Sequence, residues 1–434
     1  MKQTEFKRRR AQLMKMMGKN TIAILPSASQ TTRNRDVDYP FRQDSDFLYM
    51  TGFNEPDAVM VLIPGRKHGE YVLFCREKDP EQETWHGRRA GQEGAVENFA
   101  ADDSFPIDDI DDILPGLIEG TDAVYNVMGR YPDFDKRLIG WVSHIREQAR
   151  TGRHVPSEFV ALDYLLHDMR LFKSREELRL MRKAASISVE AHRLAMKTCS
   201  PGKHEFQIQA EFDYIFRQSN AQHAYPAIVG GGANGCILHY TENSDALKEG
   251  ELLLIDAGCE VQGYASDITR TFPVSGKYTA AQREVYDIVL AAQQAAIKKV
   301  KPGNHWNDPH NAAVRVITKG LAEIKLLRGT QQKLIKEQAY RKFYMHRTGH
   351  WLGLDVHDVG DYKVGDQWRL LEPGMVLTIE PGIYIPAHSK GVHRKWWDIG
   401  IRIEDDVLVT KEGCEVLTEA LPKKIDEIEA LMAS

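Results

Sequence analysis

Apolar residues in the first part of the chain come in short runs separated by turn-forming residues: TIAILP, DFLYMTGF, AVMVLIPG and YVLFC, all between residues 21 and 75. Runs of this length bounded by Gly, Pro, Asn and Asp read as strands. Residues 96 to 170 are mixed, with a strand in DAVYNVMG and helices over 133–149 and 157–168. The acidic stretch DDSFPIDDIDDILPG lacks the D-x-D-x-D-G loop of a calcium site and reads as a solvated, Asp-rich helix start. From Ser174 the period changes. Ser174 and Glu177 stand at capping-box spacing, and helical periodicity follows to about residue 198. This predicts an N-terminal α/β domain over residues 1–172 and a larger domain over 173–434.

The larger domain repeats itself. SPGKHEFQIQAEFDYIF at 200 and KPGNHWNDPHNAAVRVI at 301 each follow a long helix and share P-G-x-H, then an aromatic residue and a helical pattern. LKEGELLLIDAG at 247 is matched by LLEPGMVLTIEPG at 370, which sets Asp256 on Glu380. A second acidic strand follows each, with Asp267 in the first copy aligned on Glu404 in the second. Matches in one order predict two related half-domains.

Composition narrows the function classes. The 434 residues suffice for two or three domains, and 42% hydrophobic with 27% charged residues is the range of a soluble globular protein. A net charge of −5 gives no electrostatic case for nucleic acid. Five scattered cysteines without a C-x-x-C fit reduced thiols in a cytoplasm better than a disulfide framework or a zinc knuckle. The basic start, MKQTEFKRRRAQLMKMMG, is followed by no apolar h-region and reads as a surface helix with Leu13, Met14, Met16 and Met17 turned inward. No stretch approaches the ~18 apolar residues of a membrane span.

One strand carries a chemical puzzle. In ELLLIDAGCE the apolar run Leu252 to Ile255 ends on Asp256, a carboxylate in a strand whose pattern predicts cover on both faces. An unpaired buried charge costs several kcal/mol or more, on the order expected for desolvation without compensation. A hairpin turning at Gln262-Gly263 sets Val261 opposite Tyr264, Asp256 opposite Thr269 and Asp267 opposite Gly258. Period-two alternation then puts Asp256 and Asp267 on one side, roughly 7–8 Å apart. In the second copy Gly400, Arg402 and Glu404 share a face, and Glu380 closes the strand MVLTIE. One shared proton accounts for two converging carboxylates. A pair of divalent cations about 3.5–4 Å apart accounts for four. MHRTGHWLGLDVHDVG brings His346, His350 and His357 just upstream of Glu380, and His239 stands in GCILHYTEN of the first half. The His346/His350 pair is no zincin helix, because Arg347 occupies the place of its Glu. VGGGANG is followed by no G-K-[ST] and is no phosphate cradle, and no G-x-S-x-G occurs. Four carboxylates with one imidazole suit Mn²⁺ best; Co²⁺ and Zn²⁺ are compatible, and Mg²⁺ less so.

Asp, Asp, His, Glu and Glu in this order, within IDAG, SDITRTF, GHWLGLDVHD, IEPGIYIP and GIRIEDDVLV, resemble the pita-bread metallopeptidases, among them methionine aminopeptidase, prolidase and aminopeptidase P. WHGRRAGQEGA, MHRTGHWLGLDVHDVG and LEPGMVLTIEPGIYIP resemble the aminopeptidase P branch. The resemblance covers the whole chain. It implies a creatinase-like (RNase H-like) mixed α/β domain followed by a pita-bread domain with pseudo-twofold halves. It implies Asp256 and Asp267 on one metal, and Asp267, His350, Glu380 and Glu404 on the other. Glu380 becomes the proton shuttle, His239 and His357 the lining of the prolyl pocket, and His346 a nearby donor. Arg402 becomes the holder of Tyr384, itself expected to bind substrate, or of a ligand carboxylate. Trp85 becomes a residue reaching a neighbouring subunit's cleft in a homotetramer; taken alone it reads as a buried aromatic.

The implied activity is removal of the first residue from peptides with proline second, a bond whose tertiary amide general aminopeptidases handle poorly. The nearest alternative is a prolidase confined to dipeptides. A non-catalytic pita-bread binding protein would have lost ligands, and none is lost here. Organophosphate hydrolysis by the same ions is compatible with the residues.

Overall fold

In the computed structural model, which describes residues 1–148, 150 and 152–434, the chain divides into two compact units, Met1–Met169 and Arg170–Ser434. The first is built on a six-stranded mixed sheet. Its order is Asp103–Pro106, Tyr71–Cys75, Val59–Leu62, Thr21–Pro26, Ala123–Asn126 and Glu158–Ala161. Thr21–Pro26 runs antiparallel to Val59–Leu62 and parallel to Ala123–Asn126. The unbroken apolar runs are explained by burial of both side-chain parities in the central strands. One face meets the helices Ile110–Ile118 and Pro132–Glu147 through Ile22, Ile24, Val61, Leu114 and Ile145.

Four expectations need correction here. DFLYMTGF is not a strand but the helix Ser45–Thr51. The Asp44 side chain accepts from Phe47 N–H at 2.9 Å, and Gly52, at φ 68°, ends it; a cap at each end outweighs strand propensity. Residues 158–161 form an edge strand rather than the start of a helix, because pairing beside Ala123–Asn126 is open to them; the helix is Leu162–Leu171. The other predicted helix is Pro132–Glu147, and position 149 lies outside the described residues. The acidic stretch opens with the strand Asp103–Pro106 before its helix starts. In the first helix, Gln3–Met17, Leu13 and Met17 are buried and Met14 half-buried, but Met16 is exposed. The basic residues that accompany them are partly internal. Arg9 and Arg10 are buried, stack over Tyr49 and Tyr71, and donate to the carbonyls of Tyr49 and Met50.

The second unit opens with the helix Arg175–Thr198, whose capping box joins Ser174 and Glu177 in both directions. Its duplication is visible bond by bond. Helix pairs Arg175–Thr198 with Glu205–Gln218 and Ala280–Ile297 with Asn307–Glu323 are each joined through a P-G-x-H clasp. In the first clasp Gly202 N–H donates to Leu247 O, Leu247 N–H to Lys203 O, and Glu205 N–H to Asp245 O. In the second, Gly303 N–H donates to Leu371 O, Leu371 N–H to Asn304 O, and Trp306 N–H to Arg369 O. Then come the strand pairs Leu252–Asp256 with Thr269–Pro273 and Val376–Ile379 with Asp405–Val409. Registers Leu252↔Pro273 and Val376↔Leu408 shift one predicted equivalence by two residues. Glu404 takes the place of Thr269, and Arg402 that of Asp267. A shift of two preserves the face, so both side chains still point to the same side. Residues 348–352 pair with the strand Val376–Ile379 as Ile228–Gly231 pairs with Leu252–Asp256, so the counterpart of the His350 stretch is 228–232 rather than the later stretch holding His239.

Candidate metal centre

The site lies where the two halves meet, and glycine makes the meeting close. A Cβ on Gly258 would strike the carbonyl of Ser266, and one on Gly382 would meet Tyr384 and the carbonyl of Ile401. Ser266 N–H donates to Cys259 O and Ala257 N–H to Ile268 O, so the backbone carrying Asp267 is drawn against the end of the Asp256 strand. The predicted pairings Val261↔Tyr264 and Asp256↔Thr269 are present.

Asp256 closes its apolar strand because it is partnered. Arg402 Nη2 donates to its Oδ2 at 2.7 Å, and Tyr225 OH lies 2.8 Å from its Oδ1. The same hydroxyl lies 2.6 Å from Asp267 Oδ1, so a single proton serves two carboxylates. Arg402 also donates from Nη1 to Tyr384 OH and from Nε to Thr269 Oγ1. Thr269 OH donates to Glu404 Oε2 at 2.6 Å. His350 Nε2 lies 3.3 Å from Asp267 Oδ2 and 3.9 Å from Glu380 Oε1. Its Nδ1 lies 2.9 Å from Trp351 O, which fixes the proton on Nδ1 of the neutral ring and leaves Nε2 for a ligand. Glu380 is set by its own N–H donating to Thr348 O.

The electrostatics show a site short of positive charge. Burial, then the charges of Asp267, Glu380 and Asp256, push Glu404 well above the carboxylate range. Burial lifts Glu380 to about 7 against the pull of His350 and Arg402. Burial also raises Asp256, with Arg402 opposing. Asp267 goes the other way: burial would raise it, but the hydrogen bond and charge of His350 hold it down. His350, which burial alone would lower, is held up at about 9 by Asp267 and Glu380. Ligand atoms of Asp267, His350 and Glu404 all lie within 4.8 Å of one another. A divalent cation fits this donor set: it neutralises the repelling carboxylates and takes the role that protonated His350 fills without it.

The cavity above these groups measures about 540 Å³ and is lined by all five predicted ligands together with His239, His346, His357, Arg402, Arg347 and Tyr225. The His350 and His357 rings meet edge to face at 4.2 Å. His346 has both ring nitrogens engaged, Nε2 with Tyr384 OH and Nδ1 with Arg347 O, and burial with the nearby Arg402 lowers it to about 3. One predicted substrate-binding residue stands elsewhere. Tyr384 is fully buried behind His346 and Arg402 and does not line the cavity, because its hydroxyl is spent on those two. Trp85, in the helix Pro80–His86 of the first unit, is 77% exposed, against the reading of it alone as a buried aromatic. Tyr225, Thr269 and Asp406, whose carboxylate accepts from Asp267 N–H, were missed by sequence reasoning. Thr269 was accessible as the next residue on the Asp267 face; Tyr225, in HAYP, carries no such signal.

Carboxylates from two duplicated halves, gathered around one imidazole at the floor of a cleft, define the class of metal-dependent hydrolases. Residues 179–411 match the model of metallopeptidase family M24, and residues 6–125 match the aminopeptidase P N-terminal domain. The chain belongs to metallopeptidase family M24. It is 45% identical over 432 residues to the Xaa-Pro aminopeptidase of Escherichia coli strain K12, covering 99% of this chain and 98% of that one. The structure of Pseudomonas aeruginosa aminopeptidase PepP superposes with a TM-score of 0.99 at 58% identity, covering 100% of this chain and 98% of that chain. Aminopeptidase P from E. coli with the inhibitor Pro-Leu gives 0.97 at 44% identity, with 100% and 98% covered. Among the described residues no helix is long and apolar enough to cross a membrane.

Proposed function

We propose that this chain is a dinuclear-metal Xaa-Pro aminopeptidase, releasing the first residue from peptides with proline second. The observation that carries the reading is the convergence of Asp256, Asp267, His350, Glu380 and Glu404 in one cavity, four carboxylates to one imidazole. Asp256 and Asp267 would hold one ion, and Asp267, His350, Glu380 and Glu404 the other. Bound there, the ions supply Lewis-acid polarisation of the scissile carbonyl and an activated water.

The chain's own residues do the rest. Arg402 and Tyr225 orient Asp256, and Thr269 orients Glu404. Glu380 takes the proton of the attacking water and passes it to the prolyl nitrogen, which must be protonated to leave. His239 and His357 face the cavity, where they steady the carbonyl and flank the proline. His346, tied to Tyr384 and through it to Arg402, keeps that wall in place. Residues 1–172 are taken as the creatinase-like domain and 173–434 as the catalytic domain, a boundary three residues past the division between the compact units at Met169 and Arg170.

The oxygen-rich donor set favours Mn²⁺ over Co²⁺ and Zn²⁺. Five thiols outside any disulfide suit a cytoplasmic, reducing compartment. The exposure of Trp85 supports its use at a subunit contact in a homotetramer. The test is to strip the metal and restore Mn²⁺, Co²⁺ or Zn²⁺ separately, assaying a tripeptide Xaa-Pro-Yaa beside the dipeptide Xaa-Pro. Cleavage of the tripeptide, best with Mn²⁺, is the expected result. Cleavage of the dipeptide alone makes the chain a prolidase, and full activity without metal removes the reading.

A further inference from the structure

Glu205 is completely buried, yet its carboxylate lies outside the metal cleft. Its oxygens accept four hydrogen bonds. Gly231 N–H and Asn234 Nδ2 donate to Oε1 at 2.7 and 3.0 Å, and Tyr240 OH and Asp245 N–H donate to Oε2 at 2.8 and 2.9 Å. All four donors come from one segment, 231–245, and His239 lies within it. Tyr240 is buried against Ile228, Leu254 and Tyr384, while His239 and Thr241 on either side of it line the cavity. A carboxylate without partners is among the costliest groups to bury, so Glu205 holds its place only while the segment is closed around it.

The duplication gives the same position a second appearance. Glu205 follows P-G-K-H and Trp306 follows P-G-N-H, and each donates its own N–H to the matching carbonyl, Asp245 O or Arg369 O. The Trp306 ring packs 4.1 Å from Trp351, the neighbour of His350, and 4.7 Å from Tyr362. One position of the fold therefore fastens a histidine-bearing segment in both halves, by a carboxylate in one and an indole in the other.

We propose that Glu205 is a positioning residue for His239: it locks the 231–245 segment so that the imidazole stands over the cleft. The proposal rests on the reading of the cleft as a peptide-cleaving site with His239 on the substrate. The test is a double-mutant cycle on the metal-loaded enzyme with an Xaa-Pro-Yaa substrate. Glu205→Gln puts a donor where Tyr240 and Asp245 already donate, and Tyr240→Phe removes one of the four donors. Each is expected to lower kcat/KM about tenfold in the wild-type background and less than about twofold when His239 is already Ala, with metal content unchanged. A loss that persists undiminished in the His239→Ala background shows a general structural role and overturns the proposal. If Glu205→Gln does not fold, Tyr240→Phe carries the same comparison. A His239→Ala variant as active as wild type overturns the reading of His239, and this proposal with it; a damaged His239→Ala with additive partners overturns the proposal alone.

Discussion

Asp256 is tolerated at the end of its strand through neighbours that each also serve another residue: Arg402 reaches Tyr384 and Thr269, and Tyr225 reaches Asp267. Removing a carboxylate from such a set takes a cation ligand with it. Asp256→Ala and Glu404→Ala are each expected to abolish turnover through loss of bound metal, read as metal content per chain after dialysis. Wild-type metal content with wild-type activity in either variant would contradict the assignment. Gly258→Ala probes the close approach of the backbone. Its added methyl meets the Ser266 carbonyl, which cannot swing aside as a side chain can. A loss of about 1–3 kcal/mol or more in denaturant unfolding is expected, with metal affinity falling alongside. At this scale much of the site was legible. Alternation along short strands singles out Asp256, Asp267, Glu380 and Glu404, and spacing offers several histidines; the choice of His350 among them rests on the resemblance. Tyr225 was not legible, because a lone tyrosine before a proline has no period to give it away. Tyr384 and Trp85 were placed by resemblance alone. Tyr384 stands behind the wall because its hydroxyl completes a hydrogen-bond chain rather than facing the cleft.

At the scale of elements, the segment that carries His350 and His357 is tied down by a buried ion cluster. Asp358 accepts from Arg170 at 2.6 Å and from Lys173 at 2.9 Å, and Arg170 also reaches Asp355. Burial would raise the Asp358 carboxyl, but Lys173 and Arg170 hold it below the usual carboxylate range. A carboxylate depressed in the folded state contributes stability above its unfolded pKa and loses it as pH falls through the folded one. Acid unfolding should therefore steepen below about pH 4, and Asp358→Asn should flatten that part of the curve. At neutral pH Asp358→Asn takes the carboxylate from buried Lys173 and leaves Arg170 with Asp355, and a loss of about 3–5 kcal/mol is expected by chemical denaturation. Strands whose apolar runs are buried on both sides were read correctly because burial and β propensity agree there. DFLYMTGF was misread because its caps, Asp44 and Gly52, decide between two structures that its apolar residues permit equally. Residues 158–161 were misread because pairing with a strand some thirty positions earlier is invisible to any local window.

At the scale of the whole molecule, the cations are ligands of the folded second unit, so their removal is a stability measurement as well as an activity one. With free metal at about a hundred times its Kd the linkage contributes about 2.7 kcal/mol. Calorimetry of stripped and reloaded protein should show this as a fall and recovery of a thermal transition. A transition unmoved by metal would mean that the cluster binds none. The duplication was legible in outline from P-G-x-H and the acidic strands, but its register was not. Sequence similarity aligned acid on acid, whereas the backbone pairs Glu404 in the place of Thr269.

The two clasps behind P-G-x-H also separate what can be changed from what cannot. The proposed metal ligands His350, Glu380 and Glu404 come from the second copy, while the 231–245 loop is closed by Glu205 of the first. Randomising Leu238 and Thr241, which line the cavity, while leaving Glu205, Asn234, Tyr240 and Asp245 intact should therefore yield a library whose members differ in peptide selectivity but load metal alike. Such a library offers protein engineers a route to new exopeptidase specificities that starts from a single loop.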